Sequence, residues 1–205
     1  MEDLANKIIK RFNEKYDFDF TEYELDRIGS GGEAVVYDSP EFKSSVIRIG
    51  NSSEFYKTLY EGNIELEYSV KVKYYKEFKV PQERFNLSIA ILDKLSALPD
   101  DEYSVLETLS SNNIEFYTLL DVIDNGKMMD FEDIKRFSHL GNILDFDAIL
   151  LDEYDFEIIG DLLIDVKRAI EEIQTKLKSY ARDVWYGNIL FNDKLKRYQL
   201  IDIQI

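Results

Sequence analysis

The sequence predicts an α+β fold: a sheet-forming front part, a helical middle, and a long helix followed by a β-hairpin at the end. Three observations lead there. Leu25 and Val35-Val36-Tyr37 favour strands on either side of a glycine cluster, Gly29, Gly31 and Gly32. Ile158, Leu162, Asp165/Val166, Ala169/Ile170, Ile173 and Leu177 recur near the helical period with charged residues between them, which predicts a helix over about 157–180. Ile189-Leu190-Phe191 and Tyr198-Gln199-Leu200-Ile201 then read as two short strands around the turn residues Asn192-Asp193-Lys194.

The remaining elements follow in chain order. Asp17-Phe18-Asp19-Phe20 alternates like an edge strand. The run Tyr60 to Tyr75 is charged on several faces and reads as a solvated helix surface. Pro81 followed by Phe85, Leu87, Ile89, Ile91/Leu92, Leu95 and Leu98 predicts a helix with a proline start, ending near Pro99-Asp100-Asp101. Tyr103 to Leu109 and Ile114 to Ile123 are further short elements, Asp124-Asn125-Gly126 is a turn, and Phe131 to Phe137 is a short helix. There is no internal repeat or low-complexity segment.

The chemistry concentrates near the end of the chain. Asp183 and Asn188 stand five residues apart and Asp202 follows, with three residues after it. A carboxylate beside an attacking hydroxyl and oxygen ligands for magnesium are what phosphoryl transfer asks of a protein. The two predicted strands would bring the three polar residues to the mouth of one hairpin, a geometry suited to a metal. Arg182-Asp183-Val184-Trp185-Tyr186-Gly187-Asn188 matches the pattern H-R-D-L-x-x-x-N, with Ala181 in the His position. Near the front, Ile28-Gly29-Ser30-Gly31-Gly32-Glu33-Ala34-Val35-Val36-Tyr37 matches G-x-G-x-x-G-x-V, with Ala34 in place of the third glycine. Glycines without a Cβ let backbone amides approach phosphate oxygens.

With both motifs in the right order, the chain resembles the protein-kinase-like superfamily over roughly residues 20–50 and 137–205. The resemblance implies one kinase-like domain over 1–205, with an antiparallel-sheet N-lobe over about 20–154 carrying a helical insertion near 51–136. A reduced helical C-lobe with the catalytic-loop hairpin would cover about 155–205. It implies ATP and Mg2+ as cofactors, Asp183 as the catalytic residue, and Asn188 and Asp202 as metal ligands. Gly29, Ser30, Gly31, Gly32, Val36, Arg48, Glu153 and Tyr154 are implied in nucleotide binding. In this scheme Ser45-Val46-Ile47-Arg48 stands where the family has V-A-I-K, and His139 to Phe146 is the strand before the hinge. Ala148 to Tyr154 is the apolar strand and acidic hinge itself.

The departures carry information too. Arg48 replaces the lysine that pairs the α- and β-phosphates, and a planar guanidinium is not interchangeable with a compact ammonium. Ile203-Gln204 follows Asp202 where the family has Phe-Gly. Glu61, Glu65 and Glu67 are candidates for the helical glutamate, with none preferred. Because the chain stops soon after Asp202, the resemblance implies the nucleotide half of a kinase without the acceptor half, and a partner protein supplying the missing lobe is one expectation.

Composition bounds the rest. The 205 residues, 45% hydrophobic and 14% aromatic, are enough for one good core arranged as two small lobes. A net charge of -16 argues against nucleic acid, whose binding is dominated by Lys and Arg on phosphates. No run approaches the length of a membrane span, and Met1-Glu2-Asp3-Leu4 lacks the basic and apolar regions of a signal peptide. With no cysteine, the expectation is a cytoplasmic protein. The single histidine, His139, reads as a packed or hydrogen-bonded strand residue, and Trp185 and Tyr186 read first as aromatic packing that fixes the catalytic loop, with a substrate-facing role as the alternative. Two functions are therefore expected: an ATP/Mg-dependent phosphotransferase, acting by default on a protein hydroxyl with a small-molecule acceptor or nucleotidyl transfer as alternatives, or a pseudokinase that binds nucleotide or a partner without turnover.

Overall fold

The computed structural model describes residues 25–30, 33–40, 43–79, 86–138, 140–141 and 152–205. They form an α+β protein, as the sequence predicted, and the chain divides into two compact units. The first comprises residues up to Glu65 together with Val70–Lys94; the second comprises Leu66–Ser69 and Leu95–Ile205. No described helix is long and apolar enough to cross a membrane.

The first unit is built on an antiparallel sheet of β1 (Asp26–Ser30), β2 (Ala34–Asp38), β3 (Ser45–Asn51), β4 (Val72–Phe78) and β5 (Leu87–Asp93), in the order β1-β2-β3-β5-β4. Ile47, Ile49, Leu87, Ile89 and Ala90 are buried at its centre. Helix α1 (Glu54–Glu61) packs on β4 through Phe55, Tyr56 and Leu59. Ser53 caps its start by accepting from the Tyr56 amide at 3.4 Å, and Gly62 ends it by donating to the Thr58 carbonyl at 3.0 Å. Gly50 is a position where glycine is required by space. A Cβ there would lie 2.2 Å from the Glu33 carbonyl oxygen and 2.5 Å from Ala34 Cα, both backbone atoms of the neighbouring strand segment.

One expectation is corrected here. The helix expected after Pro81 is strand β5, paired along its length with both β3 and β4. Leu-Ser-Ile-Ala-Ile-Leu-Asp is apolar at five of seven positions, and in a short run of that kind helical spacing and a strand buried on both faces look alike. Burial between two neighbours decided for the strand. Pro81 and Phe85, His139, the expected strand at 142–146, the apolar part of the hinge and Asp17-Phe18-Asp19-Phe20 lie outside the described residues.

The second unit is organised by helix α5 (Glu153–Leu177), preceded in the chain by α2 (Asp100–Ser111), α3 (Phe116–Leu119) and α4 (Phe131–Phe137). Between α3 and α4 stands a small hairpin, β6 (Ile123–Asp124) and β7 (Lys127–Met128). Its Asn125-Gly126 turn has φ values of 48° and 73°, which Asn and Gly tolerate and other residues resist. Helix α5 begins on a capping box in which Asp152 and Asp155 satisfy each other's backbone amides. Its apolar stripe, including Phe156, Ile159, Leu162, Leu163, Val166 and Ile173, is buried, and it packs against α2 and the C-terminal hairpin. That hairpin is β8 (Ile189–Asn192) and β9 (Arg197–Leu200), as predicted.

Candidate active site on the C-terminal hairpin

The hairpin is held on both sides by chain that enters and leaves it from far away in sequence. Leu200 N–H donates to the Tyr68 carbonyl at 3.0 Å, and Ser96 and Phe191 exchange backbone bonds at 2.8 and 2.9 Å. Buried Gln199 completes the grip: its amide nitrogen donates to the carbonyls of Glu67 at 3.0 Å and Ser69 at 3.1 Å, while its oxygen accepts from Asn192 at 2.8 Å. Every polar group of that side chain is thereby used, as burial demands.

At the open end of the same hairpin, hydrogen bonds tie together the segments that carry the three sequence-predicted residues. Arg182 and Gln204 exchange backbone bonds at 2.7 and 3.1 Å, which ties the residue before Asp183 to the segment just after Asp202. Ile201 N–H donates to the Asn188 carbonyl at 2.9 Å. The Asn188 carboxamide nitrogen donates to the Asp183 carbonyl, also at 2.9 Å. Asp183 and Asp202 both adopt left-handed backbone, with φ of 57° and 45°. Three of the other five such non-glycine residues described are asparagines, which accept this region readily; the remaining two are Lys178, at the end of α5, and Lys196, in the hairpin turn. Two aspartates held there at the ends of one bonded circuit are the kind of local strain that clusters at functional sites.

The donor set suits magnesium. With its nitrogen committed to Asp183, the Asn188 carboxamide has its oxygen left to offer, and Asp202 brings a carboxylate. Hard oxygens of this kind, one or two from protein with the remainder from phosphate and water, are how magnesium is usually held. Among the described residues no group of three or more His, Cys, Asp and Glu forms a fuller cage.

Residues that local sequence patterns did not single out support this arrangement. The Tyr117 hydroxyl on α3 donates to the carbonyl of Ala181, so the start of the loop that carries Asp183 is fastened to α3. Asp165 on α5, 9% exposed, accepts the Tyr198 N–H at 3.0 Å and lies 3.5 Å from Arg168. Burial pushes its carboxyl above the usual range, against the pull of the amide and the guanidinium. A charged residue inside an apolar stripe was the one visible signal for it. Glu102 on α2 accepts from the Tyr198 hydroxyl and has its second oxygen buried without a partner, so burial raises its pKa as well. The phenol of Tyr198 is pushed up by burial and by that carboxylate.

In the first unit, strand register sets Gly29 opposite Val36, Val36 opposite Arg48 and Arg48 opposite Ala90, so three predicted nucleotide-site residues form one row across β1, β2 and β3. Ser30 ends β1, and Gly31 and Gly32 lie outside the described residues. Arg48 is only 2% exposed. Its guanidinium donates to the Asn51 carbonyl at 3.0 Å and sits 5.4 Å from the centre of the Tyr56 ring. Of the glutamate candidates, Glu65 pairs with Lys71 and Glu67 with Arg197, while Glu61 ends α1. Glu153 and Tyr154 stand in the first turn of α5, and the Tyr154 amide is committed to the Asp152 cap at 2.9 Å, which differs from an extended hinge. Trp185, expected to pack, is instead 47% exposed.

No protein-family model matches the chain, and no curated protein does. Among solved structures it is similar to a thermostable mutant of the aminoglycoside phosphotransferase APH(4)-Ia in a ternary complex with AMP-PNP and hygromycin B. The identity is 15%, over 97% of this chain and 71% of that one, with a TM-score of 0.37. It is also similar to APH(2")-IIa in a ternary complex with streptomycin and ATP, at 15% identity over 97% of this chain and 73% of that one, with a TM-score of 0.27. At such scores the superpositions are loose, and the case for function rests on this chain's own residues.

Proposed function

We propose that this chain is a kinase-like phosphotransferase that binds ATP with magnesium and passes the γ-phosphoryl group to a hydroxyl. The observation that carries it is the bonded circuit linking Asp183, Asn188 and Asp202 at one end of one hairpin. Asp183 orients the acceptor hydroxyl and takes its proton, and the Asn188 carboxamide and Asp202 carboxylate supply oxygens to magnesium. The backbone of Gly29, Ser30, Gly31 and Gly32 covers the phosphates, with Val36 against the nucleotide.

Calorimetric titration with ATP, with and without magnesium, tests the metal site, and transfer of labelled phosphate tests the chemistry. Magnesium-dependent binding is expected in the wild type and lost in Asp202→Asn. Asp183→Ala is expected to bind nucleotide while transfer falls by about 10²–10⁴-fold, the usual contribution of a positioned general base. Equal transfer by Asp183→Ala and wild type would sink the assignment.

A catalytically impaired nucleotide-binding module is the alternative, and Arg48 favours it. A guanidinium buried against Asn51 and Tyr56 is already engaged within its own unit, where a phosphate clamp needs its charge available. Arg48→Lys separates the two. A gain in transfer would indicate a site weakened by the arginine, and loss of stability without any gain would mean that the arginine is structural.

A further inference from the structure

We propose, on the phosphotransferase assignment above, that Trp185 is the acceptor-positioning residue and that the acceptor is an alcohol carried on an uncharged or cationic ring, held by stacking on the indole.

Trp185 is the chain's one tryptophan and stands two residues beyond Asp183. The loop's inward packing is supplied by Ala181 and Val184, both buried, so the indole is not needed for it. The exposed ring nevertheless has neighbours on two sides. Tyr186 meets it edge-on, with ring centres 5.2 Å apart, and Tyr103 on α2 meets Tyr186 edge-on at 5.4 Å. On another side the benzo ring lies over Gly187. A Cβ at that position would come within 2.5 Å of Trp185 Cη2 and 2.6 Å of Cζ2, so only glycine leaves room for the ring. An exposed indole two residues along the chain from Asp183, set against Tyr186, which Tyr103 in turn backs, and over a glycine, is a preorganised stacking surface.

The charge around the platform selects among flat partners. Helix α2, which carries Tyr103, has Asp100, Asp101, Glu102 and Glu107 and no Lys or Arg. Arg182 is the sole cation of the loop 181–188. A phosphorylated acceptor would meet mostly like charge, whereas a cationic ring would gain from both the carboxylates and the aromatic faces. A flexible serine side chain on a peptide has no flat face to offer the indole.

Because the tryptophan is unique, its emission reports on the platform directly and without turnover. Glucosamine and tyramine serve as saturated and aromatic ring alcohols, sorbitol and ethanolamine as open-chain controls, and glucosamine 6-phosphate as the anionic control. Saturable emission changes are expected with at least one ring alcohol, tenfold or more weaker for the controls. With the responding ring alcohol as acceptor, Trp185→Ala should raise its KM at least tenfold with a smaller fall in kcat. Trp185→Phe should restore KM to within about threefold, since a benzene ring still stacks. Gly187→Ala, which pushes the indole off its seat, should resemble Trp185→Ala. Leu195→Ala, at the exposed turn of the same hairpin, should leave KM unchanged. An unchanged KM in Trp185→Ala, a Phe variant no better than Ala, or equal responses to ring and open-chain alcohols would overturn the proposal, as would no emission response to any ring alcohol. Absence of phosphate transfer by the wild type would count against the phosphotransferase assignment alone, because the emission titration is run without ATP.

Discussion

Removing the Asn188 side chain should expose two separable jobs done by one carboxamide. Its nitrogen holds the Asp183 carbonyl at 2.9 Å, and Asp183 sits in left-handed backbone with φ of 57°. A non-glycine residue in that region costs roughly 1–2 kcal/mol, and a hydrogen bond contributes about 0.5–1.5 kcal/mol net, so the bond is of the size needed to offset the strain. Asn188→Ala is therefore expected to lose about 1 kcal/mol of stability, enough to shift a local equilibrium roughly fivefold. In a unit of this size that corresponds to a melting point lower by roughly 3–6 °C. Asn188→Asp isolates the second job. It keeps an oxygen for magnesium but turns the donor into an acceptor facing the Asp183 carbonyl, so it should be at least as unstable as the alanine variant while retaining magnesium-dependent ATP binding that the alanine variant loses. Urea unfolding followed by tryptophan emission and calorimetry with magnesium-ATP read the two effects independently. If Asn188→Ala unfolds at the wild-type urea concentration, the carboxamide does not hold the loop. If it binds magnesium-ATP normally, the oxygen is not a ligand.

Two further outcomes follow from positions away from the chemistry. Glu172 accepts the amides of Glu67 at 2.7 Å and Tyr68 at 3.2 Å and pairs with Lys176 at 2.6 Å. Burial pushes its carboxyl up, but the lysine and the two amides outweigh it and hold the group below the ordinary glutamate value of 4.5. A depressed carboxylate contributes stability that is present above the unfolded-state pKa and lost as pH falls through the folded one. Unfolding midpoints of the wild type should therefore drop as pH goes below about 4.5, and Glu172→Gln should be less stable at pH 7 with a shallower acid decline; parallel pH curves for the two proteins would contradict this. Gly50→Ala should cost about 2–3 kcal/mol by urea titration, because the new methyl meets backbone that no side-chain rotation can clear, and a loss under about 0.5 kcal/mol would mean that the sheet adjusts freely there.

What was legible in the sequence was local. The closing hairpin and the long helix each announce themselves within a few turns of chain, and the three candidate residues were proposed together because the hairpin between them is itself short-range. Strand β5 was misread because Leu87 to Asp93 is apolar at five of seven positions, so its period says nothing until β3 and β4 are known to flank it. The supports of the site were hidden for a different reason: Tyr117 reaches Ala181 across 64 residues, Glu172 reaches Glu67 across 105, and neither has a sequence signature near its partner. Asp165 broke the pattern of its own helix and so left a trace. The exposure of Trp185 was one of two open readings, and packing was preferred because an aromatic residue in a loop more often packs than faces solvent.

On the phosphotransferase proposal, the two left-handed aspartates set the direction in which this protein can be improved as a material and spoiled as a catalyst. Glycine fits that backbone without a steric penalty, and asparagine nearly so. A laboratory selection that rewards only survival at high temperature would thus be drawn toward Gly or Asn at 183 and 202, accumulating robust chains that no longer turn over. Any stabilisation campaign on this chain has to hold those two codons fixed and look for its gains elsewhere.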